Sequence, residues 1–247
     1  MSRLEVLALE GLPEIHLGDD LAALLRDAAP PDGFGAGDVL VLAQKIVSKA
    51  EGAIVALDDV RPTARAKFLA HEHGKDPRVM QVVLDESAEI VRAVGGVIVC
   101  RTRHGFVCAN AGVDASNAGG EGRVVTLPRD PDASARAIRA ALPGAPAVVI
   151  TDSFGRAWRQ GQVDVAIGVA GLRALDDWRG RTDAEGRELH ATVIAIADEV
   201  AAAADLVRGK DSGIPAVLIR GLGRYVAADD GPGVAALVRP VADDLFR

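Results

Sequence analysis

The hydrophobic positions change period several times along the chain. LEVLAL, from Leu4 to Leu9, predicts a strand. DDLAALLRDAA then sets Leu21, Leu24 and Leu25 at helical spacing, with Asp19 or Asp20 as the N-cap. GDVLVLAQKIVSKAEG begins as a buried strand, because Val39 to Leu42 is continuously apolar. RPTARAKFLAHEHGK predicts a helix stopped at Gly74, and DPRVMQVVLDES predicts another with Pro77 near its first turn. EIVRAVGGVIVCRTRHGFVCANAGVD has the pattern of a strand meander, with His104-Gly105 as a two-residue hairpin turn. DASARAIRAAL is helical, and APAVVITD and QVDVAIGVAG are strands. HATVIAIADEVAAAADLVRG is the longest helical stretch, GIPAVLIRG returns to strand, and DGPGVAALV predicts a short last helix.

Helix and strand patterns are mixed without a clean βαβ repeat, and the centre reads as antiparallel. The predicted class is therefore α+β, a mixed α/β arrangement on a largely antiparallel sheet. No internal repeat or low-complexity linker divides the chain, so residues 1–247 read as one domain. The polar stretch GRTDAEGRE, from Gly180 to Glu188, is the candidate separator of two lobes.

Composition narrows the function classes. Aromatic residues make up 3% of the 247 residues, so Ala, Val, Ile and Leu must fill the core. A net charge of −7, with no basic stripe or stacking array, disfavours a nucleic-acid module. Cys100 and Cys108 are too few for a disulfide framework. MSRLEVLALEGLPEI carries acids where a leader would be hydrophobic, and no apolar run approaches the ~20 residues of a membrane span. The expectation is a soluble cytoplasmic protein. The chain has no P-loop, no GxGxxG between strand and helix, no CxxC and no HExxH. The HEH at His71 to His73 lies on a predicted helix, where positions i and i+2 point apart.

Five segments carry candidate chemistry. ITDSFGRAWRQGQVDVAIG puts Asp152 and Ser153 at the end of a buried run, a carboxylate–hydroxyl pair suited to Mg²⁺ or Mn²⁺. Arg156 and Arg159 follow, able to pair with phosphates. The other reading makes Asp152 and Ser153 the cap of a helix starting at Phe154. ANAGVDASNAGGEG holds Asp114 and Asn117 on a glycine-rich loop, fit for a cation and a phosphate or base edge, or for ordinary turns. VRGKDSGIP sets Lys210, Asp211 and Ser212 between glycines after a helix end. QKIVSKAEG offers Gln44, Lys45, Ser48 and Lys49 beyond a buried strand, where the lysines either serve a site or are merely solvated. LPEI, Leu12 to Ile15, is by itself only a turn before a helix.

Together, ITDSFGRAWRQGQVDVAIGVAG, HGFVCANAGVDASNA, VLAQKIVSKAEG, ESAEIVR and the block GRELHATVIAIADEVAAAADLVRGKDSGIPAVLIRG resemble the coenzyme F420-0:gamma-glutamyl ligase (CofE) family. They equally resemble the N-terminal ligase part of its actinobacterial fusion form. The resemblance runs from about Leu4 to Gly221, and the expectation is a ligase without the fusion's flavin-reductase-like C-terminal part. It implies a mixed α/β fold of the family's own type, two lobes and an intertwined homodimer. It implies a ligase that uses GTP and divalent metal, two ions of Mn²⁺ or Mg²⁺, with K⁺ stimulation. Such an enzyme joins L-glutamate to the phospholactyl carboxylate of the deazaflavin F420-0 and can add further γ-linked glutamates.

Carried over by residue, the resemblance implies Asp114, Asp152 and Ser153 as metal ligands and Asn117 as a nucleotide contact. Leu12, Pro13, Glu14 and Ile15 would line the nucleotide site, and Gln44 and Lys49 would touch GTP. The segment Arg208, Gly209, Lys210, Asp211, Ser212, Gly213, Ile214 and Pro215 would loop around the phosphates. Lys210, Arg156 and Arg159 are the expected catalytic cations. The family usually carries Thr where this chain has Ser153, which keeps the hydroxyl on a less restricted side chain. Competing readings are a metal-dependent ligase for another acid, a nucleotide hydrolase, or a nucleotide-binding homologue without activity. The presence of Asp114, Asp152 and Lys210 argues against the last.

Overall fold

A computed structural model describes residues 3–245. In chain order it contains β1 (Glu5–Ala8), α1 (Leu21–Asp27), β2 (Val39–Ala43), α2 (Gln44–Glu51), β3 (Ile54–Ala56), α3 (Ala64–His73) and α4 (Pro77–Glu86). Three strands follow: β4 (Ser87–Val94), β5 (Val97–Thr102) and β6 (Val107–Ala109). Then come β7 (Arg123–Val125), α5 (Pro131–Ala141), β8 (Ala147–Arg156) and β9 (Arg159–Ala170). The chain closes with β10 (Asp176–Asp177), β11 (Val193–Ile194), α6 (Ile196–Arg208) and β12 (Ala216–Arg220), followed by short 3₁₀ turns.

The main sheet has the order β1-β12-β2-β8-β9. All neighbours are antiparallel except β2 and β8, which run parallel from Val39↔Ala147 to Ala43↔Thr151. The predicted mixed, largely antiparallel class is thus observed. The central position of β2 explains its unbroken apolar run: Val39, Leu40, Val41 and Leu42 are each fully buried. α6 packs against β9 and β12 through Ala197, Ala201 and Ala204, whose small side chains let the helix approach closely.

Local signals set the helix ends. Asp20, Thr63, Asp76 and Asp130 each cap a helix by accepting a backbone N–H, and Pro77 and Pro131 stand at the first turn behind two of them. Gly74 ends α3 in the left-handed conformation, as its sequence position predicts.

Two separate buried clusters form. The larger is built on the main sheet. The smaller gathers Met80, Ile98, Cys100 and Val124 between α3, α4 and the β4-β5-β6 sheet. Gly180 to Glu188 does not separate them, since Ala174 before it and Ile196 after it both belong to the larger cluster.

Three sequence expectations need correction. The two-residue hairpin turn is Gly95-Gly96, where both φ angles are positive (57° and 84°) and Val94 faces Val97. His104-Gly105 instead belongs to a three-residue loop closed by Thr102 N–H to the Phe106 carbonyl at 2.8 Å. The long helix begins only at Ile196, because Val193–Ile194 is drawn into a ladder with Asp176–Asp177. The last helical stretch is a 3₁₀ turn, Gly233–Ala236.

Candidate active site

The one parallel pair in the main sheet ends at Ala43 and Thr151, and the chain does something different after each. After Ala43 it turns at once into α2. After Thr151 it continues as a hairpin with β9, in which Asp152 faces Val165 and Ser153 faces Asp164. Phe154 is inside β8, so Asp152 and Ser153 cap no helix, and they sit mid-strand rather than at a strand end. The loop after β6, the end of α6 and the Leu12–Glu14 segment converge on the same place. They enclose a cleft of about 880 Å³, at the upper end of the range for ligand sites.

The floor is a buried ionic knot. Asp164 is 4% exposed and accepts from Thr151 Oγ1 at 2.8 Å, from Ser153 Oγ at 2.6 Å and from the Arg208 guanidinium. Arg208, 5% exposed, also donates to Thr151 Oγ1 at 2.8 Å. Burial works against its positive charge, while Asp164, Asp205 and Asp152 favour it. Its Nη1 is buried with no hydrogen-bond partner among the described residues. Lys210 Nζ reaches Ser153 Oγ at 2.7 Å, so one hydroxyl joins a cleft lysine to the buried aspartate.

The rim carries further charge. Lys45 Nζ lies 2.6 Å from Asp114 and donates to Ser116 Oγ and its carbonyl at 2.6 and 2.8 Å. Burial tends to raise the Asp114 carboxyl, but the Lys45 ammonium and the Ser116 donors hold it below the usual value. Among the described residues no cation is ion-paired with Asp152, and Lys45 acts on it only from a distance. Burial, together with Asp164 and Asp114, pushes its carboxyl up to about 7 against the opposing Ser153 backbone N–H and Lys45. Lys49, 6% exposed, pairs with Glu14. Gln44 is held by Ser48 Oγ, which donates to its Oε1 at 2.7 Å. Cys108 also lines the cleft, its thiol pushed up to about 12 by burial and by Asp152.

Most of the residues singled out in the sequence meet here. Leu12, Pro13, Glu14, Gln44, Lys49, Asp114, Asn117, Asp152, Ser153, Arg208, Gly209, Lys210, Asp211, Gly213, Ile214 and Pro215 all line the cleft. Ile15 does not; it is a core residue, 4% exposed. Ser212 turns back to donate to the Arg208 carbonyl. Arg156 and Arg159 face each other across the exposed tip of the β8–β9 hairpin, outside the cleft lining. Sequence reasoning missed Asp164 and the Lys45–Asp114 pair. Asp164 was signalled by alternation: in QVDVA it shares the inward side of β9 with Ala166.

Among the described residues, no three His, Cys, Asp or Glu side chains gather to hold a metal by themselves. An ion here would need hydroxyl, water or ligand oxygens as well. The Asp114 and Asp152 carboxyls suit that role: both line the cleft, and repulsion from Asp164 and Asp114 adds to burial in driving Asp152 towards protonation, which a bound cation would relieve.

The family profile described as F420-0:Gamma-glutamyl ligase matches residues 11–221. A coenzyme F420:L-glutamate ligase of Methanothermobacter thermautotrophicus is 46% identical over 251 residues, covering 99% of each chain. Its namesake in Methanopyrus kandleri is 46% identical over 256 residues, covering all of both. One from Natronomonas pharaonis is 47% identical and covers 99% of this chain and 95% of its own. Similarity of this depth over the whole length means that this chain belongs to the F420-0:gamma-glutamyl ligase family.

Proposed function

We propose that this chain is a coenzyme F420:L-glutamate ligase, which uses GTP to join the amine of L-glutamate to the phospholactyl carboxylate of F420-0, one or more times. The observation that carries the reading is the single cleft in which Asp114 and Asp152 face Lys45, Lys49, Lys210 and Arg208. A carboxylate is a poor electrophile. Transfer of the γ-phosphoryl group of GTP to its oxygen releases GDP and leaves an acyl phosphate. The glutamate amine then attacks the acyl carbon, phosphate departs and the amine loses a proton.

The difficulty is the approach of two anions. The cleft supplies cations on the floor and on the rim, and the unpartnered Nη1 of Arg208 is a spare donor for an oxyanion. Lys210, just beyond the end of α6, is bonded among the described residues to Ser153 alone and would move onto phosphate oxygen. Asp114 and Asp152 would hold Mn²⁺ or Mg²⁺ with the Ser153 hydroxyl beside them. The bound ion supplies charge screening between carboxylate and phosphate. K⁺ stimulation and a homodimer complete the proposal.

The test is one incubation with F420-0, L-glutamate, GTP and Mn²⁺, read by mass spectrometry. Products heavier by glutamyl units, dependent on both GTP and the metal, support the reading. GTP loss without glutamylation would assign a hydrolase instead.

A further inference from the structure

A second cavity, of about 240 Å³, shares no residue with the cleft. It is lined by Arg173, Asp176, Trp178, Arg181, Arg224 and Tyr225. The cleft takes Asp205 and Arg208 from the C-terminal end of α6. The second cavity lies near the N-terminal end, where the Ala197 N–H bonds the Ala174 carbonyl and β11 leads into the helix. The helix between them is about 20 Å long.

Three guanidiniums and one carboxylate surround this small space, so positive charge is in excess. Asp176, 6% exposed, accepts from Trp178 Nε1 at 2.9 Å and sits 3.6 Å from Arg181. The neighbouring Asp177 is already taken by Arg179. Among the described residues neither Arg173 nor Arg224 has a carboxylate partner. Long like-charged side chains ordinarily spread apart into water. Here two are laid on rings: Arg181 is 5.0 Å from the Trp178 centroid and Arg224 is 4.6 Å from that of Tyr225. A guanidinium stacked by its face keeps its N–H edge free for an oxyanion.

We propose that this cavity is a second anion site, taking an oxyanion group with two negative charges. Inorganic phosphate and the adjacent carboxylates of a short γ-glutamyl chain both present that chemistry. Only the second source rests on the ligase reading; the charge and geometry of the cavity do not. Trp178 walls the site, so an anion that draws Arg181 and Arg224 inward changes its surroundings.

Trp158 and Trp178 are the two tryptophans of the chain, so Trp158→Phe leaves Trp178 as sole reporter. That protein is titrated at constant ionic strength with sodium phosphate and, separately, with tri-γ-glutamate, following Trp178 emission. A saturable change is expected. A response to phosphate alone assigns the site to phosphate, and a response to the peptide alone assigns it to the glutamyl chain. Arg173→Gln and Arg224→Gln, singly and together, are expected to raise the midpoint roughly tenfold or more, while Lys210→Ala in the cleft leaves it in place. No saturable change with either anion overturns the proposal, as does an unchanged midpoint in the arginine variants. The readout needs no turnover, so a failure of ligation leaves it standing.

Discussion

Replacing Asp152 by Asn separates what this carboxyl does for the reaction from what it does to the fold. The group is half-buried in the cleft wall. Burial, with Asp164 and Asp114 close by, raises its carboxyl from 3.8 to about 7. Between those values the native state binds a proton that the unfolded chain releases, so its contribution to stability falls as pH rises through the window. A shift of about three units corresponds to ~4 kcal/mol. Water reaching the half-buried carboxyl screens part of this, leaving ~2–3 kcal/mol. Asn carries no charge at any pH. The stability of Asp152→Asn relative to the parent should therefore be near zero at pH 4, widen in favour of the variant up to pH 7, and stay level above. Urea denaturation of both proteins at pH 4.5, 6 and 7.5 measures this, with equal m-values as the check that only stability has changed. Lys45, Lys210, Arg208 and Cys108 also face the site but are common to both proteins. A gap that does not change with pH, or a parent more stable than the variant at pH 7.5, refutes the electrostatic account. Mn²⁺ at pH 7.5 should stabilise the parent more than the variant; equal stabilisation would remove Asp152 from the ion's ligands.

Asp114→Ala and Asp152→Ala should each abolish glutamylation with the circular dichroism unchanged; near-normal turnover at low metal in either would sink the assignment. Lys210→Ala should weaken GTP binding at least several-fold by calorimetry with little loss of stability, since among the described residues Lys210 holds only Ser153. Arg208→Met leaves Asp164 buried beside Thr151 without its cation and should cost about 3–5 kcal/mol in chemical denaturation. Gly168→Ala would bring a Cβ to 2.5 Å from the Pro131 carbonyl oxygen, where α5 starts against β9. The backbone must shift, so thermal denaturation should show a loss of about 1–3 kcal/mol.

The elements with a local cause were legible in the sequence. Pro77 behind Asp76, Gly74 at a helix end and the apolar run of β2 each announce their structure within a few residues. What escaped was set by partners far along the chain. Val193 and Ile194 are β-branched and so lean towards strand, but they also continue an apolar run into a helix; pairing with Asp176 and Asp177 decides the outcome. The same holds in the cleft. Asp114, Asp152 and Lys210 were found because each stands in a small, polar segment that no core would want. Asp164 stands between valines in an ordinary strand, and its significance depends on Arg208, 44 residues later, turning in from the end of α6. Arg208 itself was found as a loop residue near phosphates, yet it is buried and ion-paired on the floor of the cleft. The residues that meet solvent or ligand are visible one segment at a time. The pair beneath them is visible only once β9 and α6 have been brought together, and that pair ties Ser153, and through it Lys210, to the wall that carries Asp152.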